Sequence, residues 1–184
     1  MKNILLGVFT FCVTFSGFSQ KAIIPAKIII NNNDTLKVNM QVVTNIFDRN
    51  LVDESSFYKA VKVLDSTTAK KSKIKAVNIK QLYFKDLKGE DNIYINDGKQ
   101  LQKQLYIGKI SLYSRLSYNN YTMTHNPYLL NEEGEKFNLT LFNNKKKQLI
   151  KAIEKDEKLV EKVEQLKPSD IDVIKILKEY NANN

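Results

Sequence analysis

The chain has one histidine, His125, so any chemistry that needs an imidazole must use it. It stands among tyrosines, with Tyr118, Tyr121 and Tyr128 around it and Asn126-Pro127 directly after it. Its readings are a general base, a metal ligand, or an exposed histidine in a loop. Zinc sites take three or four protein ligands, mostly nitrogen and sulfur, and a lone histidine without cysteine falls short of that. No metal site is expected. A serine nucleophile on a sharp strand-to-helix turn would show as Gly-x-Ser-x-Gly, and that pattern is absent.

Carboxylates are the other candidate chemistry. Asp86, Glu90 and Asp91 form one group and Glu132, Glu133 and Glu135 another. A glycosidase needs two acids facing each other across a cleft, whereas acids clustered in turns ordinarily keep those turns solvated. Residues 86–91 also lack the spaced Asp/Asn ladder of a calcium loop. Neither a phosphate-cradling glycine loop nor a dinucleotide fingerprint occurs, and no cofactor is expected.

Cys12 is the sole cysteine, and it lies in an N-terminal segment that reads as a secretory signal. Lys2 supplies the basic start, residues 4–15 the short apolar run, and Gly17 and Ser19 the small residues of a cleavage site. The run is too short for a comfortable membrane span. Residues 1–19 are therefore read as the signal and 20–184 as a single domain, exported to the periplasm, the envelope or the medium. The processed chain would hold no thiol, which removes thiolate catalysis, iron–sulfur clusters and disulfides.

The formal net charge is +9. Lysines cluster at Lys70, Lys71, Lys73 and Lys75 and again at Lys145, Lys146 and Lys147. Lysines beside tyrosines are compatible with an acidic polymer. Arginine, the residue preferred for bidentate phosphate recognition, is limited to Arg49 and Arg115. The expected partner is a protein or an anionic envelope glycan, not nucleic acid. Tyr118, Tyr121, His125 and Tyr128 are the candidate binding residues.

The elements that must position these groups follow from periodicity. From Gly108 to Tyr118 apolar or small residues alternate with polar ones, which predicts one long strand over 105–118 with Gly108 as a bulge. Residues 27–30 and 36–40 read as strands joined by an Asn/Asp turn over 31–35. Pro25 keeps the lead-in off a central strand position. Residues 57–64 fit a helix by Phe57, Val61 and Leu64 and a strand by Val61 and Val63, of which the strand is favoured, and a second hairpin spans 81–96 across the polar turn 86–91. Residues 118–128 read as an exposed loop with a short edge strand, and Phe137, Leu139 and Leu141 as a last strand.

After residue 143 the period changes. Leu149, Ile150, Ile153, Val160, Val163 and Leu166 recur at helical spacing, with Asp156 as a cap. Pro168-Ser169-Asp170 reads as the start of a third helix, with a stripe of Ile171, Ile174, Leu177 and Tyr180. The expected fold is α+β. An antiparallel, meander-rich sheet over about 27–142, a sandwich or half-barrel, precedes about three helices over 145–181.

Several short motifs resemble a loose group of uncharacterised secreted proteins of the Bacteroidota type. They are the hairpin turn Asn33-Asp34-Thr35-Leu36, the strand entry Ala76-Val77-Asn78-Ile79, the stretch from Gly108 to Tyr113, and the ending Tyr180-Asn181. Asn33 stands where that group has glycine, and Ala76 and Asn78 where it has proline and aspartate. The resemblance implies export and the β-then-α layout, and it assigns no functional residue.

Two classes of function remain. One is a non-catalytic binding module acting through its sheet or tyrosine-rich segment. The other is a hydrolase acting on glycans or esters with carboxylates and His125. A cleft holding His125 with two acids favours the second, and His125 alone in solvent favours the first. Cleavage between Ser19 and Gln20 is expected because a peptidase pocket accepts Gly17 and Ser19. Intact-mass measurement of exported protein should give a chain that starts at Gln20; a start at Lys21 or Met1 would contradict it.

Overall fold

The computed structural model describes residues 20–45, 48–65, 70–119, 122–139 and 144–183. The predicted signal, Tyr121 and Leu141 lie outside the described residues. The described residues form one 11-stranded open antiparallel sheet followed by three helices, an α+β fold.

The strands are β1 (Lys21–Ile30), β2 (Thr35–Thr44), β3 (Val52–Asp53), β4 (Ala60–Leu64), β5 (Lys71–Lys75), β6 (Ile79–Lys85), β7 (Asp91–Asn96), β8 (Leu101–Tyr106), β9 (Ser111–Asn119), β10 (Thr122–Leu130) and β11 (Lys136–Asn138). Their order across the sheet is β11-β10-β9-β8-β7-β6-β1-β2-β4-β5, with β3 added beside β2. From β6 to β11 this is a plain meander. The β1–β2 hairpin turns through residues 31–34, where Asn33 adopts φ 70°, a conformation asparagine tolerates.

Register shows that one face of the sheet is continuous. Ile28 lies opposite Leu82, Leu82 opposite Tyr94, Tyr94 opposite Lys103, Lys103 opposite Ser114, and Ser114 opposite Pro127. Two hydrophobic clusters sit along this face. The first joins Ile24, Ile28, Met40, Val42, Val61, Leu82, Phe84, Tyr94 and Leu101. Phe57, just after the 3-10 turn Glu54–Ser56, packs into it edge-on to Phe84 at 5.6 Å and to Tyr94 at 4.9 Å. The second joins Ile110, Leu112, Leu129 and Phe137 to the helices α1 (Lys145–Ala152), α2 (Glu157–Gln165) and α3 (Val173–Asn183) through Leu149, Ile153, Leu159, Val163, Ile176, Leu177 and Tyr180. Apolar residues at three- and four-residue spacing place those side chains on one stripe of each helix. The helices thus cover the β9–β11 end. At the other end the face is buried in the first cluster, into which the segment carrying Phe57 packs. Among the described residues, no helix is long and apolar enough to cross a membrane.

The predicted long strand over 105–118 is two strands. β8 ends at Tyr106, β9 begins at Ser111, and Gly108 sits in the turn between them. Its function there is close approach, because a Cβ on Gly108 would lie 2.5 Å from Nδ2 of Asn181 on α3. The Asn181 carboxamide accepts from Lys109 N at 2.5 Å and donates to the Tyr106 hydroxyl at 3.1 Å and to the Leu177 carbonyl at 2.7 Å. Nor is the odd-numbered face wet, since Ser111 and Tyr113 are buried.

Three further corrections follow. Residues 21–26 belong to β1, which is central. Pro25 is tolerated because the β1–β6 ladder begins only at Ala26, so Pro25 lies beyond its end. Of the segment read as an exposed loop with a short edge strand over 118–128, the described residues are all strand: Tyr118 and Asn119 end β9, and residues 122–128 belong to β10, which pairs with β9 along its length and with β11 only from Tyr128 onward. Residues 168–170 form a single 3-10 turn; α3 starts at Val173, and Asp172 rather than Ser169 accepts from a first-turn amide, that of Lys175. The buried stripe therefore uses Val173 and Ile176, and Ile174 faces outward.

Gly108→Ala should destabilise the protein by about 1–3 kcal/mol, the usual cost of forcing atoms into a filled site. Asn181→Ala alone loses its hydrogen bonds. The double variant should lose less than the sum of the two, because the added methyl then has room. Urea midpoints of the four proteins measure this; strict additivity would contradict the contact.

Candidate functional site

His125 lies on β10 opposite Leu116 of β9, on the same face as Ser114 and Pro127. It does not stand alone. It forms one wall of a cleft of about 340 Å³ that also takes in Glu54, Asp86, Asn92, Tyr94, Lys103, Leu116 and Met123. The residues converge for a reason of register. Tyr94 of β7 and Lys103 of β8 are direct neighbours on the continuous face, and Leu116 and His125 continue that face along β9 and β10. Glu54 arrives from outside the sheet on the 3-10 turn that also delivers Phe57. Asp53 fixes that turn by accepting from Ser55 N at 2.9 Å.

The Glu54 side chain is 16% exposed and that of His125 57%. Glu54 Oε2 lies 3.9 Å from His125 Nδ1. The buried Tyr94 hydroxyl bonds to the Glu54 carboxylate. Burial, then that negative charge, raise the Tyr94 pKa far above its ordinary value, so the phenol remains a donor. On the other wall, Asp86 Oδ1 accepts from the amides of Lys88 and Glu90 at 2.9 and 3.0 Å, and its Oδ2 accepts from Asn92 Nδ2 at 3.2 Å. Burial works against the charge on Asp86. The two amides and Asn92, with the Lys103 ammonium, outweigh it and hold the carboxyl below its ordinary pKa.

These distances limit the chemistry. Ser114 Oγ lies 3.5 Å from His125 Nδ1, the same ring nitrogen that faces Glu54. A serine relay needs the nucleophile on one nitrogen and the orienting acid on the other, so Ser114, His125 and Glu54 are not arranged as one. Ser114 is also buried within a strand. Asp86 spends its oxygens on its own hairpin turn. Among the described residues, no group of three or more potential metal ligands is placed to hold an ion.

The four candidate residues divide. Tyr118 is 63% exposed on the His125 face, opposite Met123. Tyr121 lies outside the described residues. Tyr128 is buried on the reverse face, where it lies opposite Tyr113. Its hydroxyl donates to Gln102 Oε1 at 2.6 Å, and Lys136 Nζ sits 3.7 Å from its ring centre. Burial pushes its pKa up to about 12. Tyr128 is thus part of a packed polar layer, away from the cleft. Asp86 is visible in the sequence only as one of a group of turn acids, and Glu54, Asn92, Tyr94 and Lys103 carry no local signal; strand register and the Glu54–Ser56 turn bring them to His125.

The chain matches no protein-family model, no curated protein and no solved structure.

A carboxyl with a depressed pKa in the folded state contributes stability that is complete above its unfolded value near 4. That contribution is lost as pH falls through the folded value. The protein should therefore weaken below about pH 4. Asp86→Asn should lower the urea midpoint at pH 7 and shrink the drop between pH 7 and pH 3. An unchanged drop would show that Asp86 is not held in this way.

Proposed function

We propose that this is an exported, non-catalytic binding module whose cleft beside His125 takes a neutral, hydroxyl-rich ligand such as a glycan segment. One observation carries the reading: register and the Glu54 turn bring acceptors and donors from distant segments to one 340 Å³ cleft. Its volume lies in the range of small-ligand sites. Glu54 offers acceptor oxygens, and Lys103 and His125 offer donors. The exposed side chains of Leu51 and Met123 supply apolar surface for the carbon faces of a sugar. Asp53, Glu54 and Asp86 make the cleft acidic, which disfavours an anionic glycan there. An anionic partner suits the lysine-rich surface instead.

The hydrolase reading keeps one specific observation in its favour, the proximity of Glu54 to His125 with Asp86 in the same cleft. Against it stand the hydrogen bonds that commit Asp86 to its turn and the shared nitrogen of His125. A glycosidase also needs one acid able to donate a proton and a second carboxylate free to act.

Calorimetric titration with neutral hexasaccharides (gluco-, xylo- and chito-oligomers), followed by mass spectrometry of the recovered sugars, separates the readings. Binding without cleavage, weakened tenfold or more by Glu54→Gln or His125→Ala, is the expected result. Cleavage that is lost in Glu54→Gln would establish the hydrolase. No binding by any of the three sugars would overturn the glycan reading of the cleft.

A further inference from the structure

The face of the sheet turned away from the core is strongly charged at one end. Ile24, Ala26, Ile28, Met40, Val42, Val61 and Val63 belong to the first cluster. Alternation along each strand therefore turns their neighbours to the other face. Lys27 of β1, Lys37 of β2, Lys62 of β4 and Lys71, Lys73 and Lys75 of β5 lie there, and all six are exposed. Register gathers them. Lys27 is the cross-strand partner of Lys37, and Lys62 that of Lys73. An uncharged row separates the two pairs: Pro25 lies opposite Asn39, Asn39 opposite Leu64, and Leu64 opposite Lys71. Lys62 is level with Gln41 and Ile23, four residues along β1 from Lys27. That offset is about 13 Å at the rise of a strand.

Like charges directly opposite each other weaken strand pairing. Among the described residues none of the six lysines is in an ion pair. Lysines on an edge strand guard it against unwanted pairing, which accounts for β5. That does not account for Lys27, Lys37 and Lys62, whose strands have a neighbour on each side. The acids that register places on this face, Asp91 and Asp53, are committed. Asp91 holds Lys85 at 3.1 Å and accepts from the Tyr83 hydroxyl at 2.5 Å, and Asp53 accepts from Ser55 N at 2.9 Å. Two repulsive lysine pairs on either side of a neutral row are complementary to a chain that carries negative charge on both of its sides.

We infer that this face binds a linear polymer of carboxylated sugars, a polyuronate, laid across the strands along the Pro25–Asn39–Leu64 row with its carboxylates beside the two lysine pairs. The polymer relieves the repulsion within each pair. Ammonium groups act as point charges and lack the bidentate fork that arginine offers to phosphate, so a carboxylate polymer suits them better than a nucleic acid. The carboxamides of Asn39 and Gln41, half-buried on the same face, can both donate to and accept from sugar hydroxyls. This deepens the anionic-partner part of the reading above. His125 is on the opposite face of the sheet, so the cleft proposal and this one stand or fall separately.

The test is calorimetric titration of the purified protein with a galacturonate hexamer in low and in high salt, beside oligo-thymidylate and phosphatidylglycerol vesicles. The hexamer should bind saturably in low salt and at least tenfold more weakly in high salt, as screening of exposed charges requires. Lys27→Gln with Lys37→Gln, and separately Lys62→Gln with Lys73→Gln, should each weaken it at least tenfold. Both variants should keep or raise the urea midpoint, because each removes a repulsive pair. Lys158→Gln with Lys178→Gln removes the same charge from the helices and should change the affinity less than twofold. An equal loss in that control would show attraction to net charge alone and overturn the proposal. Tighter binding of the vesicles or of oligo-thymidylate would replace the polyuronate with a membrane or a nucleic acid, and no binding of the hexamer would overturn the proposal outright. Glu54→Gln should leave the hexamer affinity unchanged; a tenfold loss there would put the sugar in the His125 cleft and overturn this proposal while leaving that cleft a sugar site.

Discussion

The structure depends on Phe57. A single open sheet buries only what something covers, and at the β1–β2–β6–β7 end none of the described helices does so. Phe57 closes that face as a wedge, edge-on to both Phe84 and Tyr94, whose own rings lie nearly parallel at 5.7 Å. Edge-to-face contacts of this kind add to the burial of the rings themselves. The backbone around it is tied at two points, Leu101 N to Tyr58 O and Ala76 N to Lys59 O, both at 2.8 Å. The wedge is therefore bound to β8 and to the entry of β6. The same short turn holds Glu54, so the packing that closes the core also positions an acid in the His125 cleft.

The other end of the face is closed differently. There three helices lie over β9, β10 and β11, and Asn181 locks α3 to the turn between β8 and β9. The two short motifs at Gly108 and at Tyr180-Asn181, far apart in the chain, are two halves of one contact. The cleft beside His125 lies between the wedge-covered and helix-covered parts of the face. Side chains there are half-covered, which is why polar groups such as Lys103 and Glu54 are retained among Phe84 and Leu116.

Much of this was legible in the sequence. The change from period two to helical period after residue 143 marks the α+β order, and Asp156 caps α2 as its position implies, accepting from Leu159 N at 3.0 Å. The hairpins at 31–34, 86–90 and 131–134 follow from asparagine, aspartate and glycine chemistry. What failed had a common cause: tertiary pairing overrode local pattern. Alternation from 108 to 118 concealed a strand break, because a turn that happens to keep period two looks like a strand. Thr122–Leu130 was hidden by its polar residues, because its first part is an exposed edge held by the backbone ladder to β9 alone, and such a ladder needs no apolar alternation. His125 was legible as a candidate, but Glu54 and Asp86 were not legible as its neighbours, since no local pattern encodes which rows of a sheet align.

The most direct measurement of this account is the stability of Phe57→Ala by urea denaturation. A wedge buried at 0% exposure between two aromatic rings should cost about 3–5 kcal/mol when truncated. The same change should loosen Glu54 in the cleft. A loss below about 1 kcal/mol, in the range of surface substitutions, would contradict the claim that Phe57 closes the uncovered half of the sheet.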